Sequence, residues 1–172
     1  GRQKVEIARR FLAGLPGDVR TSISLEEADV LLEDEWIRFM LDSRWTIGVE
    51  GGASIIDRDG SLRRRTMNWE ARHPGASYEV VKAACFSEAE GTLNLRALSP
   101  RHLEACTTHT GQILIEGDYN GVLEPERHYI PLRADYSNLA EVVERMRDEV
   151  SREGMVERAR HDIVDSGLYY SR

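Results

Sequence analysis

SPRHLEACTTHTGQILIEGDYNGVLEPERHYIPL, residues 99–132, decides the fold class. Ser99 followed by Pro100 is a strong helix start, because proline at the first helical position lacks an N–H the helix could not use anyway. The spacing predicts a helix to about His109, with Gly111 as its left-handed C-cap region. QILIEG then reads as a short buried strand, and DYNGVLEPERHYIPL as a turn-rich loop. Downstream, Asn138 opens LAEVVERMRDEV, with apolar residues at 139, 142, 143 and 146. REGMVERARHDIVDSG reads as a further helix ended by Gly167. Helix, apolar strand, loop and helix in this order predict an α/β layered fold.

Working upstream, RQKVEIARRFLA (2–13) carries apolar residues at helical spacing, and GLPGD breaks it. In SISLEEADVLLEDEWIRFMLDSR, Ser24 reads as an N-cap with Glu26 and Glu27 in the first turn, and the helix runs to about residue 42. WTIGV (45–49) reads as a buried strand interrupted at Glu50-Gly51-Gly52. SIID, Arg58-Asp59-Gly60 and SLRRRTM read as a hairpin, since Asp-Gly suits a tight turn. HPGASYEVVKAACF reads as a loop leading into a short helix, and TLNLRAL as a short strand.

The 172 residues fit one domain, and 41% hydrophobic with 31% charged content is that of an ordinary globular chain. The net charge of −7 argues against a nucleic-acid surface, which needs clustered Lys and Arg. The one basic run, Arg63 to Arg65, falls on the edge of the expected hairpin. No apolar stretch approaches the roughly 20 residues that span a bilayer, and no signal or transit sequence is visible. Cys85 and Cys106 sit in apolar segments as small buried hydrophobes, which fits a reducing, cytoplasmic setting. Gly1 stands where an initiator methionine would, and the chain is expected to be a piece of a longer protein.

Three constellations could carry chemistry. At the helix opening on Ser99, free N–H groups and the positive end of the dipole favour an anion. Arg101 adds a planar fork of donors suited to phosphate, and Glu104 could accept hydrogen bonds from a ribose diol. Ordinary capping competes with this reading, although Ser99 to Glu104 is one residue too long for a capping box. Glu50-Gly51-Gly52 after WTIGV could hold a sugar or phosphate against backbone, or be a plain turn or bulge. Tyr119-Asn120-Gly121 follows the QILIEG strand and so shares the sheet edge where ligands of open α/β sheets sit. His102, Cys106 and His109 share one helix face and could hold zinc, but no matching ligand pair follows downstream. No G-x-S-x-G elbow supports a hydrolase.

Together, WTIGVEGGASIIDRDGS (45–61) and SPRHLEACTTHTGQILIEGDYNGVLEPERHYIPLRADYSNLAEVVERM (99–146) resemble the C-terminal half of two-domain, GT-B type glycosyltransferases of the retaining group 1, or family 4. The resemblance spans roughly residues 22–172. It implies a Rossmann-like sheet with helices on both faces, interrupted by a hairpin-helix insertion around 57–98. It implies a nucleotide-sugar donor domain whose N-terminal partner domain, carrying an unknown acceptor, precedes residue 1. Glu104 matches the family glutamate that contacts the donor ribose, and Glu50 looks like the one beside the transferred sugar, although 53 residues separate them. Glu50 and Arg101 are therefore the expected catalytic residues. Gly51, Gly52, Ser99, His102, Glu104, Tyr119, Asn120 and Gly121 are the expected donor contacts. No metal or other cofactor is implied. A non-catalytic α/β nucleotide-binding or assembly domain is the alternative. A response-regulator-like domain would need an acidic cluster after its first strand, which is absent here.

Overall fold

The computed structural model describes residues 2–89, 91, 93 and 95–167. It is an α/β structure whose backbone divides into two compact units, residues 1–51 with 97–172, and residues 52–96.

In the first unit, strands β1 (Trp45–Gly48), β4 (Gly111–Ile115) and β5 (Ile130–Leu132) form a parallel sheet in the order β1-β4-β5. Trp45 pairs with Gly111 and Gly48 with Leu114, while Ile113 pairs with Ile130. Strand β4 is central and buried on both faces, which is why QILI reads as a continuous apolar run. Its side chains alternate between two cores. Ile113 joins Ile7 and Phe11 of helix α1 (Arg2–Gly14), Val142 of α6 (Leu139–Arg145) and Met155 of α7 (Glu149–Ala159). Leu114 joins Cys106 of α5 (Pro100–Thr107), Tyr119, Tyr129 and Ile163. Pro131 is tolerated in β5 because that strand lies at the sheet edge. Asn138 closes this edge by donating to Pro131 O and accepting from Arg133 N, both at 2.9 Å.

The expected helix over 24–42 forms only as a 3-10 turn (Glu27–Asp29) and helix α2 (Glu33–Leu41). Ser24 does not cap it. Its hydroxyl accepts from Glu26 N at 3.0 Å and donates to Asp29 at 2.6 Å, a local turn that competes with helix. Helix α5 ends at Thr107, two residues before the predicted His109, and the left-handed residue after it is His109 (φ 56°) rather than Gly111. Gly111 instead begins β4. A Cβ there would lie 2.5 Å from the Trp45 ring, so the glycine is required by close packing.

In the second unit, β2 (Gly51–Ala53) and β3 (Leu95–Ala97) form a two-stranded ribbon at its boundaries, and helices α3 (Ser61–Arg72) and α4 (Tyr78–Cys85) pack on each other. The SLRRRTM hairpin strand is overturned, because these residues open α3 and Arg63 to Arg65 lie on a helix. Asp57 accepts from the amides of Leu62 and Arg63, and Asp59 from that of Ser61, so the supposed turn residues satisfy the free N–H groups of a helix start. Thr92 and Asn94 of the expected TLNLRAL strand lie outside the described residues; Leu95–Ala97 form β3. The short helix after HPGAS is present as α4. No helix among the described residues is long and apolar enough to cross a membrane.

Gly111→Ala is expected to cost roughly 1–3 kcal/mol, as overpacking in a filled core does. Urea denaturation checks this, and a midpoint equal to that of the wild type would contradict the packing described.

Candidate functional site

All three strands run the same way, so Val49-Glu50, the start of α5 and the segment after Ile115 meet at the carboxyl edge of the sheet. His102 ties this edge together from beneath. It is only 4% exposed, with Nε2 3.2 Å from Val49 O and Nδ1 3.2 Å from Gln112 Oε1. The Gln112 amide donates to His102 O at 3.2 Å and to Cys106 Sγ at 3.5 Å. The imidazole also meets the Tyr119 ring edge-on at 5.2 Å. Burial, the largest influence, holds the His102 pKa below its ordinary value, against the opposing hydrogen bonds to Val49 and Gln112. The residue expected to touch phosphate or sugar is thus a buried ring that joins α5 to the end of β1 and the start of β4. The zinc reading loses its geometry in the same way. Cys106 donates to His102 O, and burial pushes its thiol up to about 12. His109 faces Glu157 and Arg160.

Above His102, the Glu50 carboxylate accepts from Tyr119 N at 2.9 Å. Tyr119, Asn120 and Gly121 are three consecutive left-handed residues, with φ of 47°, 57° and 65°. Such backbone persists only when its surroundings fix it, at a cost of about 1–3 kcal/mol for each non-glycine residue. The fixing bonds are Glu50 to Tyr119 N, Tyr119 Oη to Ile115 O at 2.7 Å, and Asn120 Oδ1 accepting from Leu98 N at 2.7 Å. Tyr119 is fully buried, whereas Asn120 and Gly121 are exposed. A Cβ on Gly51 would sit 3.2 Å from Ala97 O and 3.9 Å from Ser99 Cβ, so Gly51 lies against the approach to α5. In the second unit, Gly52 (φ 148°) lies against Leu95 O, where any side chain would collide. Ser99 is the N-cap of α5 and makes no side-chain cap bond; Pro100 has no N–H and His102 N donates to Ser99 O at 2.9 Å, so the Arg101 amide is the donor this helix start offers.

Arg101 and Glu104 form a separate group around Trp36 of α2. The indole donates to Glu104 Oε2 at 2.7 Å, and the Arg101 guanidinium lies 4.8 Å over the ring. A guanidinium on an aromatic face keeps its N–H fork at the edge, where it can still meet an anion. Trp36 was not among the site residues expected from sequence. Its signal was an aromatic N–H that, half-buried, has to find an acceptor. Gln112 was missed as well, although a glutamine inside an otherwise apolar buried strand requires a polar partner.

A cavity of about 820 Å³ opens instead against Trp45, Thr46 and Ile47 of β1. Leu15, Ile23 and Phe39 line it as well, and Trp36 is the one residue it shares with the groups above. No family model, curated protein or solved structure matches this chain.

Because the unfolded His102 ring protonates near pH 6.5 while the folded one resists, stability falls as pH drops below that value. Denaturation midpoints measured between about pH 7 and 5 should fall less for His102→Gln than for wild type, although the variant starts lower. Parallel curves would contradict a His102 pKa held down by burial.

Proposed function

We propose that the first unit is the nucleotide-sugar donor-binding half of a GT-B type glycosyltransferase, with the Rossmann-like layering that the sequence resemblance implies. The observation that carries this reading is the convergence at the carboxyl edge of a parallel sheet of three features. These are Glu50, the uncapped start of α5 and the strained Tyr119–Gly121 turn, at the place where α/β sheets bind ligands.

In this reading, breaking the sugar–phosphate bond develops negative charge on the departing nucleoside diphosphate. The Arg101 amide at the start of α5 and the Arg101 guanidinium fork stabilise that charge. Glu104, with Oε2 held by Trp36, presents Oε1 to a ribose hydroxyl. Glu50 stands beside the transferred sugar, its position fixed by Tyr119 N. The donor needs no metal held by this chain. The acceptor is bound by a second domain across a cleft, and the protein works in the cytoplasm. The sugar is transferred from a nucleoside-diphosphate sugar to an acceptor whose identity lies with that other domain.

One observation favours a second reading, a non-catalytic α/β nucleotide-binding or assembly domain: both Glu50 and Glu104 already hold hydrogen bonds inside the chain. Calorimetric titration with UDP, GDP and ADP separates the readings. Saturable heat is expected with one of them, and its absence at about millimolar ligand, a level that detects binding as weak as about −4 kcal/mol, would overturn donor binding. Glu104→Gln is expected to weaken that binding roughly tenfold, the value of one hydrogen bond to a charged group. Trp36→Phe keeps a ring under Arg101 but removes the N–H, and should weaken binding less than Glu104→Gln does. If instead Glu104→Gln lowers the melting temperature sharply without changing affinity, Glu104 serves the fold.

A further inference from the structure

The chain's charge is unevenly placed, and this bears on association rather than on the nucleotide site. Residues 25–42 hold seven carboxylates against the single Arg38, a net of −6 in a chain whose total is −7. The same segment exposes large apolar side chains, including Val30 (57%), Leu32 (66%) and Leu41 (62%). Helix α2 buries or half-buries Trp36, Phe39 and Met40 on one side and leaves Ile37 and Leu41, one turn apart, exposed on another. A helix that is apolar on two sides is not an ordinary surface helix, and an apolar cluster rimmed by charge marks an interaction surface.

Helix α3 in the second unit has the opposite character. It carries four arginines against Glu70, fully buries none of its residues, and exposes Met67 at 58%. Arg63, Arg64 and Arg65 stand in its first turns, where cations oppose the helix dipole, so the helix gains nothing from them there. Arg64 reaches back to Asp59 O at 3.1 Å. Among the described residues, Arg63 and Arg65 make no ion pair, and neither do Glu33, Asp34 and Glu35.

We propose that the acidic, apolar surface of residues 25–42 in one copy of this chain docks on the basic helix α3 of a second copy. The occupant is chosen by charge complementarity. Of the two surfaces, one concentrates the chain's negative charge around exposed leucines, and the other sets arginines around an exposed methionine. Because the two surfaces differ, the contact is head-to-tail, so association continues past the dimer as concentration rises unless the geometry closes a ring.

Sedimentation equilibrium of the whole chain tests this. The mean mass should rise with concentration at about 50 mM salt and fall back at about 500 mM, where screening shortens the reach of exposed charges. Two charge-reversed chains, Arg63→Glu with Arg65→Glu and Asp34→Lys with Glu35→Lys, should each be monomeric alone and associate when mixed, since each supplies the surface that the other lacks. Leu32→Gln with Leu41→Gln, which leaves charge unchanged, should also stay monomeric. Melting curves verify that every variant is folded. A wild type that is monomeric throughout, a reversed chain that associates alone as the wild type does, or a mixture that stays monomeric would each overturn the proposal.

Discussion

The imidazole of His102 is the contact on which the carboxyl edge of the sheet depends. One ring nitrogen faces the carbonyl of Val49, just past β1, the other faces Gln112 on β4, and its backbone oxygen receives the Gln112 amide. A side chain from the first turn of α5 is therefore fixed to two adjacent parallel strands. The same packing explains Gly48, where a Cβ would fall 2.9 Å from both His102 Cε1 and a Leu114 methyl. Once His102 is inside, Tyr119 must close over it, and the loop after β4 is drawn into its left-handed turn. Glu50, next to Val49, is then in place to hold that turn through Tyr119 N.

A similar economy appears farther along the same face of β4, where polar groups anchor helices that lack long apolar stripes of their own. Asp162, within the π-helical segment 160–165, accepts from Arg127, His128 and His161, which holds its carboxyl well below the usual range, His161 contributing most. His128, itself buried, accepts from Glu124 N at 3.0 Å and meets Asp162 through its other ring nitrogen, which fixes the loop between β4 and β5 onto segment 160–165. That loop then places Tyr129 in the core, where burial, with Glu116, Glu50 and Glu126 nearby, pushes its hydroxyl up to about 12. Both ring nitrogens of the buried His128 are satisfied, so it positions elements rather than weakens the core.

The residues that announced the fold in the sequence were those whose local chemistry and tertiary setting agree. Ser99-Pro100, the apolar QILI run and the spacing of 139, 142, 143 and 146 each dictate one element, and each is present. The readings failed where a residue had two local uses. Asp59-Gly60 suits a hairpin turn, but Asp57 and Asp59 together suit a helix start equally well, and the helix formers in SLRRRTMNWEAR decide for the helix. Ser24 had amides to bind two residues on as well as a helix to cap. Glu50, Ser99, Tyr119 and Asn120 were placed at one edge by strand order alone, and they do lie together. Arg101 and Glu104 were read as facing a ligand directly, and only the fold shows that both lean on Trp36, 65 or more positions away in the chain. Such long-range partners leave no local pattern.

The claim that most needs a direct measurement is that this edge of the sheet receives a nucleotide. Backbone amide chemical shifts of the isotope-labelled chain, followed as a nucleoside diphosphate is added, report every main-chain N–H at once. The account predicts saturable shifts concentrated in residues 50–51, 99–104 and 117–121, with the strand interior of β4 nearly unmoved. Shifts concentrated instead around Leu15, Ile23, Phe39 and Trp45, which line the 820 Å³ cavity, would contradict it.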